Sequence, residues 1–262
     1  MSLFFYQHQM KVGKMSGQSE QQKFAVLIDG DNAQASLLPQ ILTEVSKSGL
    51  ITIKRIYGDW TTTTMNQWKD SLHKNAIQPV QQFRNTVGKN ATDSAMIIDA
   101  MDLLHSNDLQ GFCVVSSDSD YTRLATRIRE DGLIVIGVGE KKTPKAFVNA
   151  CNQFIYYENL VIKKISIKKA GAEKKEEQET ADPLPLLIQG FEMAAKEDEW
   201  TYLAMMGSSL RQLDPAFDPR TYGYQKLQAL LKNYPEIFVL KQDKSKRPPV
   251  VNVALTPNYN KG

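Results

Sequence analysis

The stretch that most constrains this chain is FAVLIDGDN, residues 24–32. Five apolar residues run without alternation into Asp29, and Gly30, Asp31 and Asn32 follow. A continuous apolar run of this kind reads as a strand buried on both faces, as in a parallel α/β sheet. Open sheets of that class bind ligands in the crevice beyond the carboxyl ends of their strands. An acid placed where such a strand ends is therefore a candidate functional group.

The segments that follow alternate between strand and helix. A helical pattern covers 33–48 through Leu37, Leu38, Ile41, Leu42 and Val45, and Gly49 ends it. Strands are expected at 50–57, 76–83, 111–115, 133–138 and 153–156. Helices are expected at 61–73, opened by a run of threonines, and at 92–105, 119–130 and 144–149. Pro79 places the 76–83 strand near a sheet edge, because proline donates nothing to the ladder. This alternation predicts one α/β domain with right-handed crossovers. In the 92–105 helix the expected buried stripe is Ile97, Ala100 and Leu104. Counting back by four puts Asp93 at its head, facing the end of the sheet.

Composition narrows the chemistry. Net charge is only +3, so a nucleic-acid partner would need local basic patches. Cys113 and Cys151 are the only cysteines, each in an apolar stretch, which points to buried thiols in a reducing compartment and a cytoplasmic protein. The histidines His8, His73 and His105 are scattered, leaving neither zinc spacing nor an evident triad base. The longest apolar runs fall far short of a membrane span.

Acids stand where the fold would gather them. Asp29 ends the first strand, Asp118 follows the fourth, Asp120 opens the next helix, and Asp93 opens the helix between strands three and four. If strand one lies beside strand four, these groups converge on one crevice. Clustered carboxylates repel each other unless a cation neutralises them. A ligand set of hard oxygens selects Mg2+ or Mn2+. Such an ion activates water and stabilises an in-line displacement at phosphorus without a side-chain nucleophile. Each acid also has a structural reading: Asp118 and Ser119 would cap the helix that follows, and Asp93 would do the same beside Thr92. Asp31 suits an Asx-turn, and Asp99 and Asp102 suit a solvated helix face.

Two families share these features. LIDGDN superficially resembles the DxD opening of haloacid-dehalogenase-type phosphatases, but the cap insert of that family is missing. The chain more closely resembles the NYN domain, the LabA-like branch of the PIN-type nuclease superfamily. FAVLIDGDN resembles its first motif, RIYGDW the end of its second strand, and GKNATDSAMIIDAMDLL its central Lys-and-Asp helix. VVSSDSDYTRLATRIREDGLIVIGVG resembles its S-x-D-x-D-F/Y motif with the strand that trails it. The resemblance implies a three-layer α/β/α fold and Mg2+-dependent RNA cleavage. Carried over by position, it implies that Asp29, Asp93, Asp118 and Asp120 are catalytic and hold the metal, with Asn32, Asp99 and Ser116 supporting. Lys89, Arg84 and Lys142 fall in loops expected at the carboxylate face, where they would meet RNA. Trp60 would either stack on a base or close the loop after strand two.

Residues 1–22 read as a disordered leader and 23–162 as the first domain. Residues 163–183 read as a charged linker, in which lysines precede an acid-rich, apolar-poor run. The apolar pattern resumes over 184–258. Helices are expected at 184–196, 202–213 with a break at Gly207, and 224–233. Strands at 236–240 and 250–255 flank a polar turn, which completes a small winged-helix-like module. The segment containing Gly207, Leu210, Pro215, Phe217 and the Tyr222-Gly223-Tyr224 turn resembles the LOTUS (OST-HTH) domain. That resemblance implies RNA binding or protein docking. From residue 184 onward ten Lys or Arg face eight Asp or Glu, but Lys244, Lys246 and Arg247 gather with Lys241 in the wing, where they would hold phosphates or simply be solvated. The reading is a metal-dependent ribonuclease with an appended RNA-binding module. The alternative is an RNA-binding adaptor of the same fold without turnover.

Overall fold

The computed structural model describes residues 21–83, 91–106, 108–161, 182–195 and 199–257. Strands β1 (Lys23–Asp29), β2 (Leu50–Gly58), β3 (Gln78–Gln81), β4 (Gly111–Val115), β5 (Ile134–Gly139) and β6 (Gln153–Tyr156) form one sheet. Their order is β3-β2-β1-β4-β5-β6 and every neighbouring pair is parallel. β1 lies beside β4, the condition under which the acids converge. β3, which contains Pro79, is an edge strand as expected.

Helices α1 (Leu38–Val45), α2 (Lys69–Asn75), α3 (Ala91–Ser106), α4 (Thr122–Glu130), α5 (Lys145–Ala150) and α6 (Tyr157–Leu160) flank this sheet. Strand alternation splits the core in two. Phe24, Val26 and Ile28 of β1 pack with Leu38, Ile41 and Val45 of α1 and with Trp68. Ala25 and Leu27 face the other way, against Met96 and Ala100 of α3, Leu124 of α4 and Phe147 of α5. Each fully buried Leu, Ile or Phe contributes about 1.5–3 kcal/mol, so β1 is held from both faces. The result is the three-layer α/β/α architecture.

Several helices differ from expectation at their starts. The 33–48 helix opens as a 3-10 turn, Ala35–Leu37, before α1. The 61–73 helix is a 3-10 segment, Thr63–Trp68, leading into α2, and Thr62 at its head makes no side-chain cap. On α3 the buried residues are Thr92, Met96, Ala100, Leu103 and Leu104, so Ala100 and Leu104 are covered as expected and Ile97 only partly. Counting in fours from Ala100 leads to Met96 and Thr92, so Asp93 sits beside the stripe and is half-buried.

The C-terminal module comprises α7 (Leu184–Ala195), β7 (Thr201–Tyr202), α8 (Leu203–Leu213), α9 (Leu227–Leu231), β8 (Phe238–Asp243) and β9 (Val250–Leu255). Its core includes Leu187, Phe191, Met206, Leu210, Leu231, Phe238 and Val253. α8 runs through Gly207 without the expected break, because Met206 and Leu210 anchor it on both sides. The helix expected at 224–233 shrinks to α9, preceded by a 3-10 turn, Pro219–Tyr222. Short β7 adds a third strand, giving the antiparallel order β7-β9-β8.

The module docks on the first domain. The Phe154 amide on the outer edge of β6 donates to the Pro215 carbonyl at 2.8 Å. Ala216 is buried within the core on the α3–α5 side. Asn159 Nδ2 donates to Thr221 Oγ1 at 3.0 Å. Arg220 bridges Asp218 and Glu44, with both contacts to the Glu44 carboxylate at 3.3 Å. The leader and linker expected from sequence fall almost wholly at 1–20 and 162–181, outside the described residues.

Candidate functional site

Asp29 ends β1 with its side chain fully buried. Alternation turns it to the same face as Ala25 and Leu27, the α3 and α4 side. The chain then turns at Gly30, where a Cβ would lie 2.7 Å from both the Tyr57 carbonyl oxygen and Met65 Cε. Only glycine lets the backbone pass so close to β2. Trp68 Nε1 donates to the Gly30 carbonyl at 3.1 Å and pins the turn.

Ser116 follows β4 on the face shared by Phe112 and Val114 and is buried. Its Oγ donates to Asp29 Oδ2 at 2.8 Å, and Asn32 Nδ2 donates to the same oxygen at 2.8 Å. Ser116 Oγ also accepts the Asp118 amide at 3.1 Å, which ties the first acid to the third. Asp118 Oδ1 accepts the Asp120 amide at 2.9 Å and caps the 3-10 turn Ser119–Tyr121. The structural reading of Asp118 therefore holds, and it coexists with clustering. Gly139 makes room for this loop, since a Cβ there would meet the Ser116 carbonyl oxygen at 2.6 Å.

Asp93, in the first turn of α3, completes the group. One carboxylate oxygen from each of Asp93, Asp118 and Asp120 lies within 4.8 Å of the others. Tyr121 OH donates to Asp93 Oδ1 at 2.7 Å. Burial and the surrounding acids Asp29, Asp93 and Asp118 push the Tyr121 phenol far above its usual range, so it remains a donor. Burial also raises Asp29, against the bonds from Asn32 and Ser116, and nearby Asp93 and Asp31 raise it further. Asp93 is raised first by burial, against the Tyr121 bond, and then by Asp118, Asp120 and Asp31. Both directions mark a pocket short of positive charge.

A hard cation would supply that charge, and the donors fit it. Asp29 Oδ1 is buried with no hydrogen-bond partner. The three gathered carboxylates provide oxygen alone, the set that suits Mg2+ or Mn2+. Among the described residues this is the single cluster of three such groups.

The remaining sequence candidates divide. Lys142 lines a cleft of about 330 Å3 with Asn32, Asp118 and Ser119, and pairs with Glu140 at 2.7 Å. Asp99 accepts from Arg55 and Tyr57 on β2, so its carboxylate is engaged with that strand. Trp60 Nε1 donates to the Val80 carbonyl at 3.1 Å, the loop-closing choice of its two readings. Lys244 lines a concavity on the wing, and Lys246 donates to Tyr202 OH at 2.5 Å. Arg84 and Lys89 lie outside the described residues. Sequence reasoning missed Tyr121 and gave Asp31 too little weight. Tyr121 follows Asp120 directly and closes the 3-10 turn before α4, from which its buried phenol reaches α3. Asp31 accepts from Thr92 at 3.3 Å beside the same crevice.

The NYN domain family matches residues 23–160 and the OST-HTH/LOTUS domain family matches residues 177–250. No curated protein gives a significant match. A crystal structure of a protein of unknown function from Vibrio parahaemolyticus aligns at 16% identity and a TM-score of 0.46, covering 54% of this chain and 96% of that one. A solution structure of an uncharacterized protein from Nitrosomonas europaea aligns at 23% identity and a TM-score of 0.28, covering 36% of this chain and 96% of its own.

Proposed function

The chain belongs to the NYN domain family through residues 23–160, and from that premise we propose a ribonuclease dependent on Mg2+ or Mn2+. Asp29, Asp93, Asp118 and Asp120 form its catalytic and metal-holding set. The observation that carries this reading is the meeting of three carboxylates from α3 and the β4–α4 turn in front of buried Asp29. When bound, a divalent cation would lower the pKa of a water and neutralise charge building on phosphate oxygens.

The protein's own groups prepare that chemistry. Asn32 and Ser116 fix one oxygen of Asp29, leaving the other buried without a hydrogen-bond partner. Tyr121 fixes Asp93, and Ser116 positions the Asp118 turn. Lys142, on the rim of the adjoining cleft, is placed to leave Glu140 for an RNA phosphate. Full burial of Asp29 disfavours it as an attacking nucleophile, and with it the phosphatase reading. The OST-HTH/LOTUS module supplies RNA binding through Lys244, Lys246 and Arg247, or docks a protein partner. The free, buried Cys113 and Cys151 suit a reducing cytoplasm.

The test is cleavage of RNA in Mg2+ or Mn2+ by the parent chain and by Asp118→Asn. The variant should lose more than the roughly 10–100-fold that removal of an outer contact costs. Equal activity would overturn the reading. A second reading, an adaptor that binds RNA without turnover, draws on the capping role of Asp118, which alone would retain the acid. It requires RNA binding that survives chelation and no cleavage in either metal.

A further inference from the structure

The three-stranded sheet of the C-terminal module has two unlike faces. Thr201 pairs with Val253 and Val253 with Leu240, and this row faces the module core. Residues directly opposite in an antiparallel pair share a face, and neighbours along a strand alternate. The next row, Tyr202, Asn252 and Lys241, therefore faces outward. Trp200 precedes Tyr202 by two and falls on the same side. Trp200 and Tyr202 remain 40% and 39% exposed. Trp200, Lys241, Asp243, Lys244 and Asn252 line one concavity of about 410 Å3.

The rim of this face is basic. Lys241, Lys244, Lys246 and Arg247 stand against the one acid Asp243, whose Oδ1 accepts the Ser245 amide at 2.9 Å and the Ser245 hydroxyl at 2.6 Å. Lys246 reaches from the β8–β9 turn across the sheet, with its Nζ 4.6 Å from the centre of the Tyr202 ring. Tyr202 is thereby held in place, and Trp200 is left as the open ring.

We propose that this outer sheet face is a stacking platform for single-stranded RNA. Trp200 would take a base, and Lys241 and Lys244 the flanking phosphates. Aromatic rings beside lysines suit unpaired nucleic acid because every base offers a π-face and every linkage a negative charge. The inference rests on the RNA reading above, but it concerns a surface separate from the carboxylates.

The experiment is fluorescence anisotropy of a labelled single-stranded RNA with the full chain in chelator, so that no cleavage intervenes. Trp200→Ala should weaken binding about tenfold or more, the loss of one stacked base. Trp200→Phe, which keeps a ring, should bind close to the parent. Replacing Lys241 and Lys244 with Gln should flatten the slope of log affinity against log salt by about 1.4, two single-strand contacts. A duplex of the same sequence should bind more weakly. Parent-like binding by Trp200→Ala, or an unchanged salt slope in the lysine variant, would overturn the platform and leave this face to a protein partner. Cleavage that persists with a failed platform removes this inference alone. Binding at an intact platform with no cleavage removes the ribonuclease reading alone.

Discussion

Asp93 shows how one residue couples stability to chemistry. Its folded-state pKa is raised above the ordinary 3.8, first by burial and then, against the Tyr121 bond, by the neighbouring acids. Between the two values the folded chain therefore holds a proton that the unfolded chain gives up. Stability from this group is complete below pH 3.8 and is lost as pH rises through the folded-state value. Asp93→Asn keeps an oxygen for Tyr121 and removes the charge. In chelator at pH 7 the variant should melt about 2–4 °C above the parent, with the gap closing towards pH 4. Added Mg2+ should reverse the order, and calorimetry with and without metal reads both signs. Tyr121→Phe tests the other end of the same bond. It should cost about 1 kcal/mol of stability and about 10–100-fold in metal affinity, measured by denaturation and by titration calorimetry.

At the scale of elements, the site exists because β1 and β2 approach without side chains between them at Gly30. Gly30→Ala would force a Cβ to within 2.7 Å of the Tyr57 carbonyl oxygen, where only Met65 can give way. Overpacking of this kind costs about 1–3 kcal/mol, readable as a lowered denaturation midpoint with an unchanged slope. Much of this level was legible in the chain. The unalternating run of β1 and the proline of β3 are local signals, and the structure has the one as a central strand and the other at the edge. Less legible were the parts decided by neighbours. The stripe of α3 follows Met96 and Thr92 because the sheet selects which side of the helix is covered. β7 has two residues and no periodicity of its own, and exists as a strand because β9 offers it an edge. The bond from Tyr121 to Asp93 joins residues 28 apart, a pairing that no local spacing announces.

For the whole molecule, the docking of the C-terminal module was the least foreseeable feature, since its contacts join residues far apart in the chain. Arg220 shares its guanidinium between Asp218 and Glu44, 176 residues away, and both sides of the contact are largely covered. Arg220→Ala leaves the Asp218 carboxylate without its cation and Glu44 with Lys47 alone, and should cost about 1.5–3 kcal/mol in chemical denaturation. Domain identities, by contrast, could be read from short motifs, because a strand end or a turn carries its own chemistry. The Phe154–Pro215 bond has a further consequence, for self-association. Pro215 occupies the outer edge of β6, and a sheet edge with open amides is a template for a second chain. A protein ending at residue 161 would bare that edge together with the apolar footprint of Ala216. It should form dimers or larger species in sedimentation at concentrations where the full chain does not, the result expected if the module guards the sheet against its own copies.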